Sequence, residues 1–272
     1  MSCKNILAVP DVIQQSLGSD DAFNALMQLQ GKAFRDVKGR KTIQVQLAGK
    51  SYFLKQHFGV GWREIVKNLL SFKKPILGAM TEVRAIEKLD ELGIATTPLV
   101  AYGQHGSNPA NLQSFVLTQD LGDITSLEDL CANWKNSPPD AKFKRRLIMQ
   151  VAAIAKKLHE NGVNHRDFYI CHFCLDNTAL PAIKLYLIDL HRVLIHASPS
   201  FSANVKDIAA LYFSSMDIGL TPRDYLRFKR YYQQQQDANF WQQVEARAQK
   251  LYAKFNSAKF QDRLAKEKSL IQ

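Results

Sequence analysis

The stretch Asn164-His165-Arg166-Asp167-Phe168-Tyr169-Ile170-Cys171-His172-Phe173 carries the strongest signal in the chain. It follows the amphipathic segment 143–161 and Gly162, a pattern that predicts a long helix ending at a glycine. A second acid, Asp189, ends the short apolar run 185–189, which is typical of a buried strand. His-Arg-Asp alone occurs by chance in many proteins, so its meaning depends on the residues around it.

The part of the chain before residue 120 predicts a small antiparallel sheet with two short helices. Polar and apolar residues alternate in several short runs, as half-buried strands require, and turns with glycine separate them. The predicted strands are a hairpin over 33–47 that turns at Lys38-Gly39-Arg40, then 51–56, 98–102 and 114–118, and the predicted helices are 64–71 and 81–92.

The rest of the chain predicts mostly helices. Ser126 and Asp129 resemble an N-terminal capping pair, and the predicted helices are 126–134, 143–161, 205–216, 222–232 and 238–268. With 46% hydrophobic and 22% charged residues, the 272-residue chain is neither disordered nor collagen-like. We therefore expect an α+β fold with two lobes, a small antiparallel-sheet N-terminal lobe at 1–120 and a mostly helical C-terminal lobe at 121–272.

Four residues stand in the order found in protein kinases: Lys55 on a strand, Glu82 on a helix, Asp167 in a loop and Asp189 after a strand. Phosphoryl transfer needs a cation against the triphosphate, an acid that holds this cation, a carboxylate for a divalent metal ion, and a carboxylate that accepts a hydroxyl proton. Each residue alone has an ordinary structural explanation. Together they predict ATP-dependent phosphoryl transfer with Mg²⁺ on a protein-kinase-like fold.

The chain resembles the lipopolysaccharide core heptose(I) kinase family of Gram-negative bacteria from about residue 20 to about residue 240. The block 164–173 is the most specific match. Other matching stretches are Tyr52-Phe53-Leu54-Lys55-Gln56-His57, Gly78-Ala79-Met80-Thr81-Glu82, Ile188-Asp189-Leu190-His191-Arg192, and Lys206-Asp207 with Leu211-Tyr212-Phe213-Ser214-Ser215-Met216. The resemblance implies phosphorylation of the first heptose of the inner core, at a lipid-linked acceptor.

On the nucleotide side, the resemblance implies that Lys55 contacts phosphate, that Glu82 is its helix partner and that Asp189 holds magnesium. The segment from Gln119 to Leu121 would be the hinge against the adenine.

The glycine-rich loop of ordinary protein kinases is reduced here to one glycine, Gly39. Backbone contacts to phosphate are therefore expected to be weaker, and Arg40 or Lys41 is the candidate to replace them. Leu190-His191 stands where Phe-Gly is usual, which puts a phenylalanine-driven switch in doubt.

On the acceptor side, the resemblance implies that Asp167 is the base, within the motif that also contains His165 and Arg166. Asp207 resembles the helix aspartate that supports the catalytic loop, although an aspartate at a helix start is equally ordinary. His172 occupies the place of the usual second metal ligand, and magnesium prefers hard oxygen ligands. We expect His172 to orient Asp167 or contact phosphate, with packing beside Phe173 as the structural alternative.

The charge of the chain points to an anionic partner. Residues 32–74 hold eleven Lys or Arg and two acids, or +9 of the net +11. A nucleic acid, acidic lipid headgroups or a phosphorylated ligand would fit this charge, and so would a plain solvated surface. No nucleic-acid motif is visible.

Because the implied acceptor is lipid-linked, we expect a cytoplasmic protein that is peripheral on the anionic cytoplasmic face of the inner membrane. The basic segments 142–146 and 245–272 would add to the attraction.

Two other functions stay open at this point. One is a kinase for another core sugar, and the other is a basic binding scaffold such as a pseudokinase. The presence of Lys55, Asp167 and Asp189 speaks against a pseudokinase.

Cys171 and Cys174 form a lone C-x-x-C pair, which is weak support for zinc or redox chemistry. Reduced cytoplasmic thiols are the plainer interpretation. No run of 18 apolar residues and no signal-like N-terminus is present in the sequence.

Overall fold

The computed structural model describes residues 5–37, 39–70, 78–232 and 237–269, and the chain forms two compact units. The first unit comprises Met1–Asp123 together with Leu187–Val193. The second comprises Ile124–Tyr186 together with Leu194–Gln272. Asp189 therefore lies in the first unit, although the segments on both sides of it in the sequence belong to the second.

An antiparallel six-stranded sheet forms the centre of the first unit. Its strands are β1 (Ile6–Ala8), β2 (Lys32–Val37), β3 (Arg40–Leu47), β4 (Lys50–His57), β5 (Leu99–His105) and β6 (Gln113–Gln119), in the order β1-β5-β6-β4-β3-β2. The helices of this unit are α1 (Asp11–Leu17), α2 (Ala22–Gln28), α3 (Gly61–Leu70) and α4 (Met80–Glu91). Sequence patterning identified all of these except β1, α1 and α2.

The two faces of this sheet differ in chemistry because side chains alternate along a strand. Ile43 of β3 pairs with Leu54 of β4, and both are fully buried in a hydrophobic core together with side chains of α1 and α2. The opposite face carries polar residues of the same strands. There the hydroxyl of Ser114 on β6 accepts the N–H of Ala79, so α4 starts against the polar face.

The second unit is mostly helical. Its helices are α5 (Leu127–Cys131), α6 (Ala141–Glu160), α7 (Phe201–Ser214), α8 (Pro222–Tyr232), α9 (Ala238–Phe255) and α10 (Ala258–Ser269). Short strands β7 (Ile124–Ser126), β9 (Phe173–Asp176) and β10 (Leu185–Leu187) form one small sheet, and β8 (Val163–Asn164) pairs with β11 (Leu194–Ile195). α6 packs against α8 and α7 packs against α9, and both α6 and α7 contact β8.

Several helix and strand bounds differ from the sequence prediction. The single helix predicted over 238–268 is two helices, because Ser257 Oγ donates to the carbonyl of Lys254 and Asn256 Nδ2 donates to that of Tyr252. Such side-chain bonds compete with the helical ladder and end α9. Ser126 does cap α5, accepting the N–H of Asp129 at 3.1 Å, but this helix ends at Cys131 rather than at 134.

Two further predicted bounds were wrong. α7 begins at Phe201, earlier than the predicted 205. The predicted strand 185–189 ends at Leu187, because Asp189 has a left-handed backbone with φ 63°. Lys38 of the predicted turn and Ser71 of the predicted helix 64–71 lie outside the described residues. Within the described part of the chain, no helix combines the length and apolar composition needed to cross a bilayer.

Candidate active site

Three of the candidate nucleotide residues meet in the first unit. Lys55 lies on β4, and its Nζ is 2.5 Å from Oε1 of Glu82, which stands in the first turn of α4. The same ammonium is 3.9 Å from Oδ1 of Asp189. The side chain of Glu82 is 4% exposed and that of Asp189 is 30% exposed. The buried carboxylate of Glu82 and the accessible carboxylate of Asp189 thus hold the Lys55 ammonium on the polar face of the sheet.

Two hydrogen bonds of Leu187 explain why Asp189 stands in the first unit. The N–H of Leu187 donates to the carbonyl of Ala95, and the hydroxyl of Thr96 donates back to the carbonyl of Leu187. A 3-10 turn over Leu190–Arg192 follows and packs on α4. Within it, Nδ1 of His191 donates to Oδ1 of Asp189 at 2.5 Å, which fixes the carboxylate.

Arg40 and His57 form a second polar pair on the same face. The register of β3 and β4 sets Arg40 opposite His57 and Thr42 opposite Lys55. Burial lowers the pKa of the Arg40 guanidinium, and the nearby carboxylates of Glu82 and Asp189 oppose this shift. Burial lowers the pKa of His57 to about 3, and the charges of Arg40 and Lys55 add to it. The Arg40 side chain thus lies in the field of both carboxylates, and the His57 ring stays neutral.

The predicted hinge from Gln119 to Leu121 lies at the end of β6. Gln119 pairs with Tyr52, at the opposite end of β4 from His57. Between the two hinge residues, the carboxylate of Asp120 accepts bonds from Ser51 Oγ and Gln44 Nε2 at 2.8 and 2.7 Å. Burial acts to raise the pKa of Asp120, but these bonds and that from the Gly122 N–H outweigh it, so the pKa is lowered. The segment is therefore fixed by its own side-chain network.

Asp207 supports the loop that contains the His-Arg-Asp motif in the second unit. The N–H groups of His165 and Arg166 donate to Oδ2 and Oδ1 of Asp207 at 2.7 and 2.9 Å. Nδ2 of Asn164 and Nε2 of His159 lie 3.3 and 3.4 Å from Oδ2. The carboxylate is 2% exposed and stands on α7, so a helix side chain holds the backbone of the loop.

The loop places Asp167 through two local features. Arg166 has a left-handed backbone with φ 71°, a conformation that costs free energy for a residue with a Cβ. Nδ1 of His172 is 2.6 Å from the main-chain oxygen of Asp167. Because a carbonyl only accepts, this imidazole carries its proton on Nδ1. The rings of His172 and His165 stack at 5.5 Å, so His172 contacts the backbone of the candidate base on one side and a buried ring on another.

The predicted site residues thus fall into two groups. Lys55, Glu82, Arg40 and Asp189 meet in the first unit, with Gln119 and Leu121 at the end of the neighbouring strand, whereas Asp167, His165, Arg166 and His172 share one loop of the second unit. Sequence reasoning missed His57 and His159. The two-residue spacing from Lys55 could have indicated His57, because residues i and i+2 share a strand face. No local signal marks His159.

The residues of the first unit fit a nucleotide with magnesium. Asp189 supplies accessible carboxylate oxygens, and Mg²⁺ is commonly bound through one or two carboxylates plus substrate phosphates. Oε2 of Glu82 and Nε of Arg40 are buried and have no hydrogen-bond partner among the described residues. A buried polar atom without a partner costs about 1–3 kcal/mol, which a phosphate oxygen accepting from Nε of Arg40 would offset.

Two other features of the second unit offer little chemistry. Burial raises the pKa of the Cys174 thiol to about 11, which keeps it protonated. The described residues include no group of three or more His, Cys, Asp or Glu placed to hold a metal ion.

An apolar cavity of about 80 Å³ lies among α5, α6, α7 and α8. Its one carboxylate, Asp224, is already bound to Lys144 and Arg227.

Comparison with known proteins finds relatives over most of the chain. Residues 24–232 match the model of the lipopolysaccharide kinase (Kdo/WaaP) family. The lipopolysaccharide core heptose(I) kinase WaaP of Pseudomonas aeruginosa is 45% identical over 244 residues, which is 85% of this chain and 90% of that protein. The protein of the same name from Escherichia coli K12 is 46% identical over 218 residues, or 78% and 81% of the two chains.

A solved structure of WaaP in complex with acyl carrier protein is also similar. It matches with a TM-score of 0.77 and 38% identity, covering 91% of this chain and 99% of that one. The expected fold class, an α+β kinase-like fold with a small antiparallel-sheet lobe and a mostly helical lobe, is confirmed.

Proposed function

The chain belongs to the lipopolysaccharide kinase (Kdo/WaaP) family, and we propose that it uses ATP to phosphorylate the first heptose of the lipopolysaccharide inner core. The observation that carries this proposal is the 43–46% identity to three heptose(I) kinases over most of both lengths. The polar groups that such a reaction needs are present in both units.

In the first unit, Lys55 binds a phosphate oxygen of the nucleotide, and Glu82 keeps its ammonium in place. Their 2.5 Å contact supports this assignment, because the buried carboxylate limits the positions open to the ammonium. Arg40 adds a second cation in place of the missing glycines. Gln119 to Leu121 bind the adenine. Asp189 holds magnesium, which when bound neutralises part of the phosphate charge.

In the second unit, Asp167 accepts the proton of the heptose hydroxyl as that oxygen attacks the terminal phosphorus. The bond between the terminal phosphorus and the oxygen that bridges the β- and γ-phosphates breaks, and this oxygen stays on the β-phosphate, so the products are the heptose phosphate and ADP. Asp207 positions the backbone of this loop and His172 holds the carbonyl of Asp167. His165 and Arg166 complete the loop, His165 as a buried ring and Arg166 as the residue whose left-handed backbone turns the chain before Asp167.

The direct test is transfer to an acceptor that lacks core phosphate. Wild-type protein and Asp167→Asn are incubated with ATP, Mg²⁺ and such lipopolysaccharide, and the new phosphate is mapped. We expect phosphate on the first heptose with wild-type protein only. Phosphate on a different sugar would favour a kinase for another core sugar, and nucleotide binding without any transfer would favour a scaffold.

We propose that the protein works at the anionic cytoplasmic face of the inner membrane. Exposed apolar side chains accompany the basic segment 32–74: Phe58, Trp62 and Val66 are 43%, 57% and 48% exposed, and the last two lie one turn apart on α3. Amphipathic helices with tryptophan and basic residues bind the interface of anionic membranes.

Vesicle flotation tests this placement. The protein should float with vesicles that contain anionic lipid, remain behind with neutral vesicles, and dissociate in 1 M salt, where the Debye length falls from about 10 Å to about 3 Å. Retention in 1 M salt would mean that apolar insertion, rather than charge, dominates, and a Trp62→Ser variant would then be released.

We further propose that the chain binds an acyl carrier protein, as the similar solved structure does; the sequence alone did not suggest this partner. Co-expression of the tagged chain with an acyl carrier protein, followed by size-exclusion chromatography, tests the proposal. Elution of the two proteins in separate peaks at micromolar concentrations would refute it.

A further inference from the structure

The proposed roles of the other nucleotide-site residues leave the surroundings of His57 on β4 unexplained. It is 4% exposed, and its Nε2 is buried without a hydrogen-bond partner among the described residues. Nε of its cross-strand neighbour Arg40 is also buried and also has no hydrogen-bond partner among the described residues. Arg40 Nε–H lacks an acceptor, and in the tautomer that carries its proton on Nε2 His57 lacks one as well. One anionic ligand would satisfy both groups, and a folded protein rarely leaves such atoms unsatisfied.

The direction of β4 indicates which part of a nucleotide this ligand is. Tyr52 pairs with Gln119, so this end of β4 adjoins the proposed adenine segment. Lys55 comes next, and His57 lies two residues further, beside the turn that joins β2 and β3. Two residues of an antiparallel strand span about 6.8 Å, which exceeds the step between neighbouring phosphorus atoms. We therefore assign Lys55 and His57 to different phosphates of the nucleotide, with the phosphate at His57 further from the adenine segment.

We propose that Arg40 and His57 form a subsite for the terminal phosphate of ATP, and that His57 makes the protein discriminate a nucleoside triphosphate from a diphosphate. In this subsite Nε2–H of His57 and Nε–H of Arg40 donate to oxygens of the γ-phosphate. The inference rests on the proposed function, since it specifies how that nucleotide is recognised.

The electrostatics of the pair agree with this role. The low pKa of His57, caused by burial and the nearby Arg40 and Lys55, means that the ring is neutral rather than a third cation. A neutral donor adds a directed hydrogen bond without further repulsion between cations while the subsite is empty. The turn supports the close approach of the chain: Gly39 has φ 81°, its carbonyl accepts the Phe58 N–H at 2.9 Å, and a Cβ on it would lie 2.5 Å from the Gly59 carbonyl oxygen.

The test compares two amide variants that differ in reach. Gln places its amide nitrogen about where His carries Nε2, whereas Asn places it about where His carries Nδ1. His57→Gln should therefore keep the donor and His57→Asn should lose it, while both remain small and polar. His105→Gln is the matched control, because His105 ends strand β5 of the same sheet and is exposed.

The measurement is the ratio of the dissociation constants for ADP and a non-hydrolysable ATP analogue, each with Mg²⁺, by calorimetric titration. Wild-type protein, His105→Gln and His57→Gln should prefer the triphosphate. His57→Asn should lose at least about tenfold of this preference, because it loses one hydrogen bond to a charged group. Its affinity for ADP should be unchanged.

An unchanged ratio in His57→Asn, or an equal loss of affinity for both nucleotides, would overturn the inference, the second outcome indicating a purely structural role. If wild-type protein bound neither nucleotide, the proposed function itself would fail instead. Loss of the ratio in both amide variants, with ADP binding intact, would still support His57, because only the imidazole geometry would then satisfy the γ-phosphate.

Discussion

The support of the catalytic loop by Asp207 leads to a quantitative prediction for Asp207→Asn. The two carboxylate oxygens accept from different loop N–H groups, His165 to Oδ2 and Arg166 to Oδ1. An amide side chain has one acceptor oxygen and one NH₂ group. One of the two loop N–H groups must therefore lose its acceptor and face another donor.

The magnitude follows from the burial of this group. Asp207 is 2% exposed, so water does not replace the lost acceptor. A hydrogen bond to a charged group contributes about 1.5–3 kcal/mol. For a domain of this size, each kcal/mol lost from the free energy of unfolding lowers the melting temperature by about 2–4 °C. The melting temperature of Asp207→Asn should therefore fall by roughly 3–12 °C. Misplacement of a catalytic group by about 1 Å can lower turnover about 100-fold, and we expect kcat to fall by that order.

Differential scanning fluorimetry and steady-state phosphate transfer measure the two effects separately. Asp224→Asn is the matched control. Asp224 is likewise buried, and it accepts the N–H and hydroxyl of Thr221 at 3.0 and 2.8 Å as well as bonds from Lys144 and Arg227, but none of its partners belongs to the catalytic loop. It should lower the melting temperature and leave the turnover of folded protein unchanged.

A melting temperature and a kcat of Asp207→Asn equal to those of wild-type protein would contradict this role of Asp207. A loss of stability in both variants with no difference between their kcat values would show that Asp207 stabilises the unit without positioning the loop.

The remaining predictions concern the reacting groups themselves. Asp167→Asn should abolish transfer with nucleotide affinity nearly intact, because it removes the proton acceptor and little volume; more than a tenth of wild-type turnover in the purified variant would contradict its role as base. Lys55→Ala and Asp189→Ala should each weaken use of the ATP–magnesium complex, and unchanged affinity and rate in nucleotide titrations of both variants would remove this assignment. His172→Ala should lower turnover with little change in the magnesium concentration for half-activity, since His172 binds the Asp167 carbonyl; a large rise in that concentration in a magnesium titration, with His172→Asn alongside, would identify it as a metal ligand.

Local patterns predicted most elements of both units because a strand or helix is encoded by the spacing of its own side chains. The alternation over β3 and β4 and the one-sided apolar face of α4 are examples, and in both cases the bounds agree within about two residues. The misses have local reasons too. β1, of only three residues, carries too short a pattern, and the break between α9 and α10 depends on side-chain bonds of Asn256 and Ser257 that composition does not reveal.

The sequence alone determined the chemical class, because phosphoryl transfer restricts which residue types can stand at Lys55, Glu82, Asp167 and Asp189, and in which order. Only the tertiary structure decided which of them are neighbours. The Asp207 carboxylate meets loop N–H groups 41 and 42 residues away in sequence.

Likewise, the pairing of Arg40 with His57 depends on strand register. The return of Asp189 to the first unit depends on bonds of Leu187 with the carbonyl of Ala95 and with the hydroxyl of Thr96. Contacts between residues far apart in sequence form only when the whole chain has folded, since their free energy depends on partners that no local pattern specifies.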